Sequence, residues 1–184
     1  HVNFDRELHA SYIIRNQAWH WAYDVADRVC NYNLNDYPEY NSRSEMREAR
    51  FGIMESYNKE GAEIPYLGKE AFVAAAYYNN LLADAEFTEF IDTGYAEDKA
   101  YAYRFRHRDG GDVLMMGPVE NETLKFNLYL GTNSVIVGDK YGNEKEVFGV
   151  DGHFNFFIGG KDILYIRGNF DEVKQGNDLF NVSD

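Results

Sequence analysis

Apolar positions recur at helical spacing from Leu8 to Ala26, at Leu8, Tyr12, Trp19, Ala22, Tyr23 and Ala26, which predicts a long helix with a broad aromatic face. The period then changes. Arg28 to Asn33 is short, partly β-branched and aromatic, and runs into the turn-forming Asn35-Asp36-Tyr37-Pro38, so it reads as one strand. A polar stretch containing Ser44 to Arg50 leads to Phe51-Gly52-Ile53-Met54 and then to the turn-rich Asn58-Lys59-Glu60-Gly61, a long loop with the character of a lid or rim. A second helix is predicted over Lys69–Ala83, with Phe72, Val73, Ala76, Tyr77 and Leu81 apolar and Ala74 to Ala76 permitting close approach to a neighbour.

Beyond Glu86 the helical period disappears and short alternating runs replace it, separated by Gly, Asp and Asn. Lys99 to His107 sets Tyr101, Tyr103 and Phe105 on one face and Ala102, Arg104 and Arg106 on the other. Asp109-Gly110-Gly111-Asp112 turns that run into Val113-Leu114-Met115-Met116. Further strands are predicted at Leu124–Leu130, Ser134–Val137, Glu146–Phe148, His153–Ile158 and Asp162–Arg167, with Asp139 to Asn143 as a turn. Seven or eight short strands at this spacing predict a small antiparallel β-sandwich. The expected class is α+β, divided into residues 1–86, a sandwich over 87–174 and a polar tail over 175–184.

Composition narrows the partners. The formal net charge of −13 removes the basic footprint that nucleic acid requires, and it disfavours anionic membrane surfaces. No apolar run reaches membrane-spanning length. Aromatic residues make up 16% of the chain, led by Tyr, whose flat apolar face and hydroxyl suit wet surfaces and sugar rings. The lone Cys30 excludes an intramolecular disulfide and a multi-cysteine metal site.

Candidate chemistry is sparse. Asp36, Glu39, Glu45 and Glu48 place carboxylates near one loop, but no sequence feature fixes their separation, and they read as a solvated acidic loop. His20 and Asp24 stand four apart on a helix, and two ligands without a third do not make a metal site. His153 has no partner identifiable from sequence and reads as structural or surface. Gly110-Gly111 and Gly159-Gly160 lack the context of phosphate loops and read as hairpin turns. Trp19-His20-Trp21 offers aromatic faces for a sugar, but the favoured reading packs one tryptophan against strands and the other against a neighbour. No metal or cofactor is called for. Asn121-Glu122-Thr123 and Asn181-Val182-Ser183 are N-glycosylation tripeptides.

The helix with Ala10, Tyr12 and Arg15, the phrase Val25-Ala26-Asp27-Arg28-Val29, and then Tyr32-Asn33-Leu34-Asn35-Asp36 together resemble the seventh helix and eighth strand of retaining glycoside hydrolases. The group resembled is the large TIM-barrel clan of β-xylosidases, α-L-iduronidases and cellulase-like enzymes. Phe51-Gly52-Ile53-Met54, Gly68-Lys69-Glu70-Ala71-Phe72-Val73-Ala74 and Leu81-Leu82 continue the match into the eighth helix, with Lys69-Glu70 standing where Lys-Pro is usual. Ala100 to Phe105 and Asp139 to Asn143 are similar to the small β-sandwich appended to many of these barrels.

The resemblance implies the last α/β units of a barrel (helix, strand, long loop, helix) followed by that sandwich. It also implies that the two catalytic glutamates, at the ends of the fourth and seventh strands in the clan, lie outside this chain. Retaining enzymes need two carboxyl groups about 5–5.5 Å apart. What remains at the eighth strand's end is Asn31, Tyr32, Asn33, Asp36 and Tyr37, which the resemblance casts as substrate-binding residues for sugar hydroxyls and ring faces. The implied partners are carbohydrate and the remainder of the barrel, as an N-terminal region or another chain, and the implied location is extracellular or cell-surface. A second reading is a non-catalytic extracellular module that binds glycan or builds an assembly.

Overall fold

The computed structural model describes residues 5–25, 53–56 and 66–179. The chain divides into two compact units, His1–Tyr78 and Asn79–Asp184. Among the described residues no helix is long and apolar enough to cross a membrane.

The first helix, α1, spans Arg6–Ala22. It starts two residues earlier than the apolar period predicts because Asp5 caps it, its carboxylate accepting the Leu8 N–H at 3.0 Å while Glu7 sits favourably in the first turn. The buried stripe is Ala10, Ile14, Ala18 and Ala22, with Ser11 beside it. The expected aromatic face is the exposed one, with Tyr12 at 53% and Trp19 at 43%, and Trp21 and Tyr23 are exposed as well. Both faces satisfy a helical period, and small side chains spaced four apart permit the closer backbone approach.

Strands β1 (Met54–Ser56) and β2 (Tyr66–Gly68) form a short antiparallel ladder, pairing Met54 with Gly68 and Ser56 with Tyr66. Helix α2 follows at Glu70–Leu82. Its buried positions are Ala71, Ala74, Ala75, Tyr78, Leu81 and Leu82, whereas Phe72 and Val73 are exposed, so the helix presents a different face from the one its larger side chains suggest.

The second unit is an antiparallel sandwich of nine described strands: β3 (Ala85–Phe90), β4 (Ala100–His107), β5 (Asp112–Pro118), β6 (Leu124–Tyr129), β7 (Ser134–Gly138), β8 (Glu144–Phe148), β9 (His153–Ile158), β10 (Leu164–Gly168) and β11 (Lys174–Gln175). One sheet runs β3-β4-β5-β10-β7-β8 and the other β11-β6-β9. The core between them takes Ala100, Ala102, Leu114, Met116, Val135, Val137 and Ile166 from the larger sheet, and Phe126, Leu128, Phe154 and Ile158 from the smaller. The register makes this one continuous face, since Ala102 opposes Met116, Leu114 opposes Ile166 and Ile166 opposes Val137. The alternate residues Tyr101, Tyr103, Phe105, Met115 and Tyr165 are buried as well. Alternation in β4 therefore separates two buried faces, and the small alanines meet the aromatic side of the smaller sheet.

Gly110, at φ 95°, turns β4 into β5, with His107 N–H bonded to Gly111 O at 2.8 Å. Gly159-Gly160 differs from the expected hairpin: it carries the chain from β9 in one sheet to β10 in the other. Asp139 organises the β7–β8 turn, its carboxylate accepting the N–H groups of Tyr141 and Asn143 and the Asn143 side-chain amide, while Gly142 supplies φ 88°.

Candidate functional site

The five residues expected to face a sugar, Asn31, Tyr32, Asn33, Asp36 and Tyr37, lie outside the described residues, as do Glu39, Glu45, Glu48 and Asn181. The next described residues along the chain are 53–56 and 66–68. The β1–β2 ladder joins Met54–Ser56 to Tyr66–Gly68, and the Lys69 N–H extends it with a bond to Ile53 O at 2.9 Å. Lys69 itself is buried, and a Cβ added at the neighbouring Gly68 would stand 3.0 Å from the ring of Phe72, an exposed side chain with room to shift. The departure from Lys-Pro at Lys69-Glu70 leaves a backbone N–H at Glu70, where α2 begins.

At the end of α1, Asp24 adopts φ 49° and its N–H bonds to Trp21 O at 3.2 Å. His20 stacks obliquely on Trp19, ring centroids 5.0 Å apart, and Trp19 also contacts Tyr23 at 5.1 Å. Trp19 and Trp21 are 43% and 37% exposed, so each ring keeps more than half of its surface covered. Among the described residues no three of His, Cys, Asp and Glu converge on one point. Asn121 sits exposed in the turn between β5 and β6.

The strongest electrostatic cluster lies at one rim of the sandwich core. Arg104 donates Nε and Nη2 to the two oxygens of Asp112, at 3.0 and 2.9 Å, and Nη1 to Glu89 at 2.7 Å. Arg106 adds two further donors to Asp112, and the Phe170 N–H a third at 3.0 Å. Burial pushes the Asp112 carboxyl upward, but the bonds from Arg104, Arg106 and Phe170 outweigh it and hold the group below the ordinary carboxylate value. The bond to Asp112 raises Arg104, against the opposing effect of its own burial. A carboxylate with its lone pairs so occupied is neither a general acid nor a nucleophile, so the cluster is a clasp linking β4, β5 and the segment after β10. The alternation of Arg104 with Arg106 and the turn position of Asp112 are visible in the sequence, but their convergence requires the hairpin register.

The sequence matches no protein-family model, and no curated protein matches it. Solved structures do match. A family 39 glycoside hydrolase from the gut symbiont Bacteroides cellulosilyticus WH2 superposes with a TM-score of 0.65 at 18% identity, over 85% of this chain and 29% of that one. A family 30 endoxylanase from Clostridium papyrosolvens C71 gives 0.42 at 13% identity, over 52% and 28% of the two chains. The family 30 xylanase C of Talaromyces cellulolyticus gives 0.44 at 10% identity, over 64% and 27%. This α+β chain of two described helices and antiparallel sheets is similar in fold to a part, less than a third, of a family 39 glycoside hydrolase.

Proposed function

We propose that this chain is the C-terminal part of a glycoside hydrolase-like, carbohydrate-active protein. Residues 1–86 supply the last units of a (β/α)8 barrel, 87–174 a supporting β-sandwich and 175–184 its polar end. The supporting observation is the lopsided coverage of the family 39 likeness, 85% of this chain against 29% of the hydrolase. Barrel active sites are assembled from loops at the C-terminal ends of several strands, so one late strand contributes part of a rim. In this reading Asn31, Asn33 and Asp36 hold sugar hydroxyls, and Tyr32 and Tyr37 offer ring faces. The catalytic carboxylates come from outside the chain, and the protein works outside the cell or on its surface.

The test is made on the native polypeptide isolated from its source. The expected result is an intact mass well above the 21.3 kDa of this chain, hydrolysis of at least one member of an aryl-glycoside panel, and a roughly tenfold rise in KM for Asn33→Ala or Asp36→Ala, the size of one or two lost hydrogen bonds. A native polypeptide of about 21 kDa that neither hydrolyses nor binds glycan overturns the reading. Glycan binding without hydrolysis, in a protein lacking both upstream glutamates, replaces it with the non-catalytic module.

A further inference from the structure

The outer face of the three-stranded sheet is made of alternate residues of β6 and β9. Lys125 stands opposite Phe157, Asn127 opposite Asn155 and Tyr129 opposite His153. Phe157 is 64% exposed, so this side of the sandwich faces water.

The stretch after β10 returns alongside β6 and then turns onto this face. Lys174 and Gln175 pair with Tyr129 and Leu128, and the Gly176 N–H bonds to Asn127 O at 2.9 Å. Gly176 passes so close that an added Cβ would meet the Leu128 carbonyl group at 2.4 Å. There the backbone ladder stops and side chains continue it. The Asn155 side chain acts as a substitute strand, its Nδ2 donating to Asn177 O at 3.2 Å and its Oδ1 accepting the Leu179 N–H at 2.8 Å. A bond from the same Nδ2 to Asn127 Oδ1 at 2.6 Å fixes its orientation. Lys125 pairs with Asp178. The Asn177 N–H donates to His153 Nδ1 at 3.0 Å.

We propose that Asn177–Leu179, anchored by β11, is a strap across the outer face of β6 and β9, and that His153 is its proton-sensitive latch. A backbone amide can only donate, so His153 Nδ1 must present its lone pair to Asn177. An imidazolium carries a proton on both nitrogens, so protonation sets one N–H against another and turns the latch bond into a repulsive contact.

The groups around the imidazole do not replace the lost acceptor. From β6 comes Tyr129, whose ring lies 5.0 Å away, while the cation Lys125 stands further along the strand, opposite Phe157. From β11 comes Lys174, its ammonium 4.9 Å from the Tyr129 ring centroid. The strap brings Asp178 and the Asn177 amide, the latter 3.5 Å from Nε2, and the preceding turn brings the exposed Asp151. The Lys125–Asp178 ion pair is a second fastening of the strap that does not involve the imidazole. Release uncovers Tyr129, Asn127 and Asn155 in a row on one sheet face.

Hydrogen exchange followed by mass spectrometry on the native full-length polypeptide, between pH 7.5 and 5.5 and normalised for intrinsic exchange, reads the strap directly. Protection in a peptide spanning Asn177 to Leu179 should fall about tenfold on acidification, the weight of one hydrogen bond, while the β6–β9 ladder keeps its protection. His153→Gln keeps an oxygen acceptor without a titrating proton and should hold the strap shut across the range. His153→Phe keeps a ring without an acceptor and should leave it open at every pH. Retained protection of the ladder shows that each variant is folded. Unchanged strap protection in the natural protein, a His153→Gln variant that still opens with acid, or a His153→Phe variant protected like the natural protein each overturns the latch.

Discussion

Arg104 grips Asp112 through Nε and Nη2, at 3.0 and 2.9 Å, with side chains only 8% and 1% exposed. The pair stands where β4, β5 and the segment after β10 meet, and Phe170 bonds to both partners, its N–H to Asp112 and its carbonyl to Arg104. A charge pair removed from water to this degree is sustained only by such complete hydrogen bonding, which makes it intolerant of losing one member.

Asp112→Asn should therefore destabilise the protein by about 3–5 kcal/mol, because Arg104 is left buried without its main counter-charge. Replacing both residues, Arg104→Met with Asp112→Leu, should recover a large part of that loss by removing the stranded charge. Urea unfolding of the native polypeptide measures both. A single variant within 0.5 kcal/mol of the natural protein would show that water reaches the cluster.

The same clasp gives stability an acid limb. Asp112 is held below the ordinary carboxylate value of 3.8, and so is Asp139, where burial opposes but bonds from Asn143, Tyr141 and Gly142 prevail. A carboxylate depressed in the folded state contributes its full stabilisation above the unfolded value and loses it as pH falls through the folded one. Stability should be level on this account from neutrality down to about pH 5 and then decline through and below pH 4. Asp112→Asn should lower the plateau and flatten that decline, as thermal melts across pH 2–7 would record. A decline of unchanged steepness in the variant assigns the acid limb to other groups.

On α1 the small side chains are expected to matter more than the large ones. Ala18 is fully buried, so Ala18→Leu forces three further carbons into a closed contact and should cost about 1–3 kcal/mol. Trp19→Ala removes a half-exposed ring whose described ring contacts are His20 and Tyr23, and should cost no more than about 1 kcal/mol. The reverse ranking, measured by chemical unfolding, would restore the aromatic face as the packed one.

That contrast shows where sequence reasoning reaches its limit. Period identified both helices and the runs that became β4 to β10, because spacing is a property of neighbours along the chain. It did not select the packed face, since Leu8, Tyr12 and Trp19 satisfy a helical period as well as Ala10, Ile14 and Ala18 do. In β4 the alternation of Tyr101, Tyr103 and Phe105 with Ala100 and Ala102 was legible. Which side meets the second sheet was not, because both sides are buried. Strand β3 is masked in sequence by Glu86, Thr88 and Glu89, and β11 exists only through its register with Tyr129 and Leu128. His153 and Asn155 carry no local signal either, since their partners Asn177 and Leu179 lie 24 residues further on. The sugar-facing reading of Asn31 to Tyr37 rests on resemblance, and its residues fall outside those the structure describes.

Two glycines in turns separate conformational strain from lack of space. Gly110 needs φ 95°, yet nothing stands within 4 Å of where its Cβ would be, so Gly110→Ala meets only the cost of a left-handed backbone, about 1–2 kcal/mol. Gly160 has the opposite character. Its Cβ would lie 2.3 Å from Asn121 Cα and from Glu120 O, which are backbone atoms of the β5–β6 turn and cannot swing aside as a flexible side chain would. Gly160→Ala must therefore displace one of two turns that both connect the sheets, at a cost of about 3 kcal/mol. If thermal unfolding instead finds Gly110→Ala the more damaging, the approach of the two turns is looser than the backbone distances imply. Because Asn121 opens a glycosylation tripeptide, the displaced turn has a second readout: in a glycosylating host, occupancy at Asn121 should change in Gly160→Ala and stay constant in Gly110→Ala.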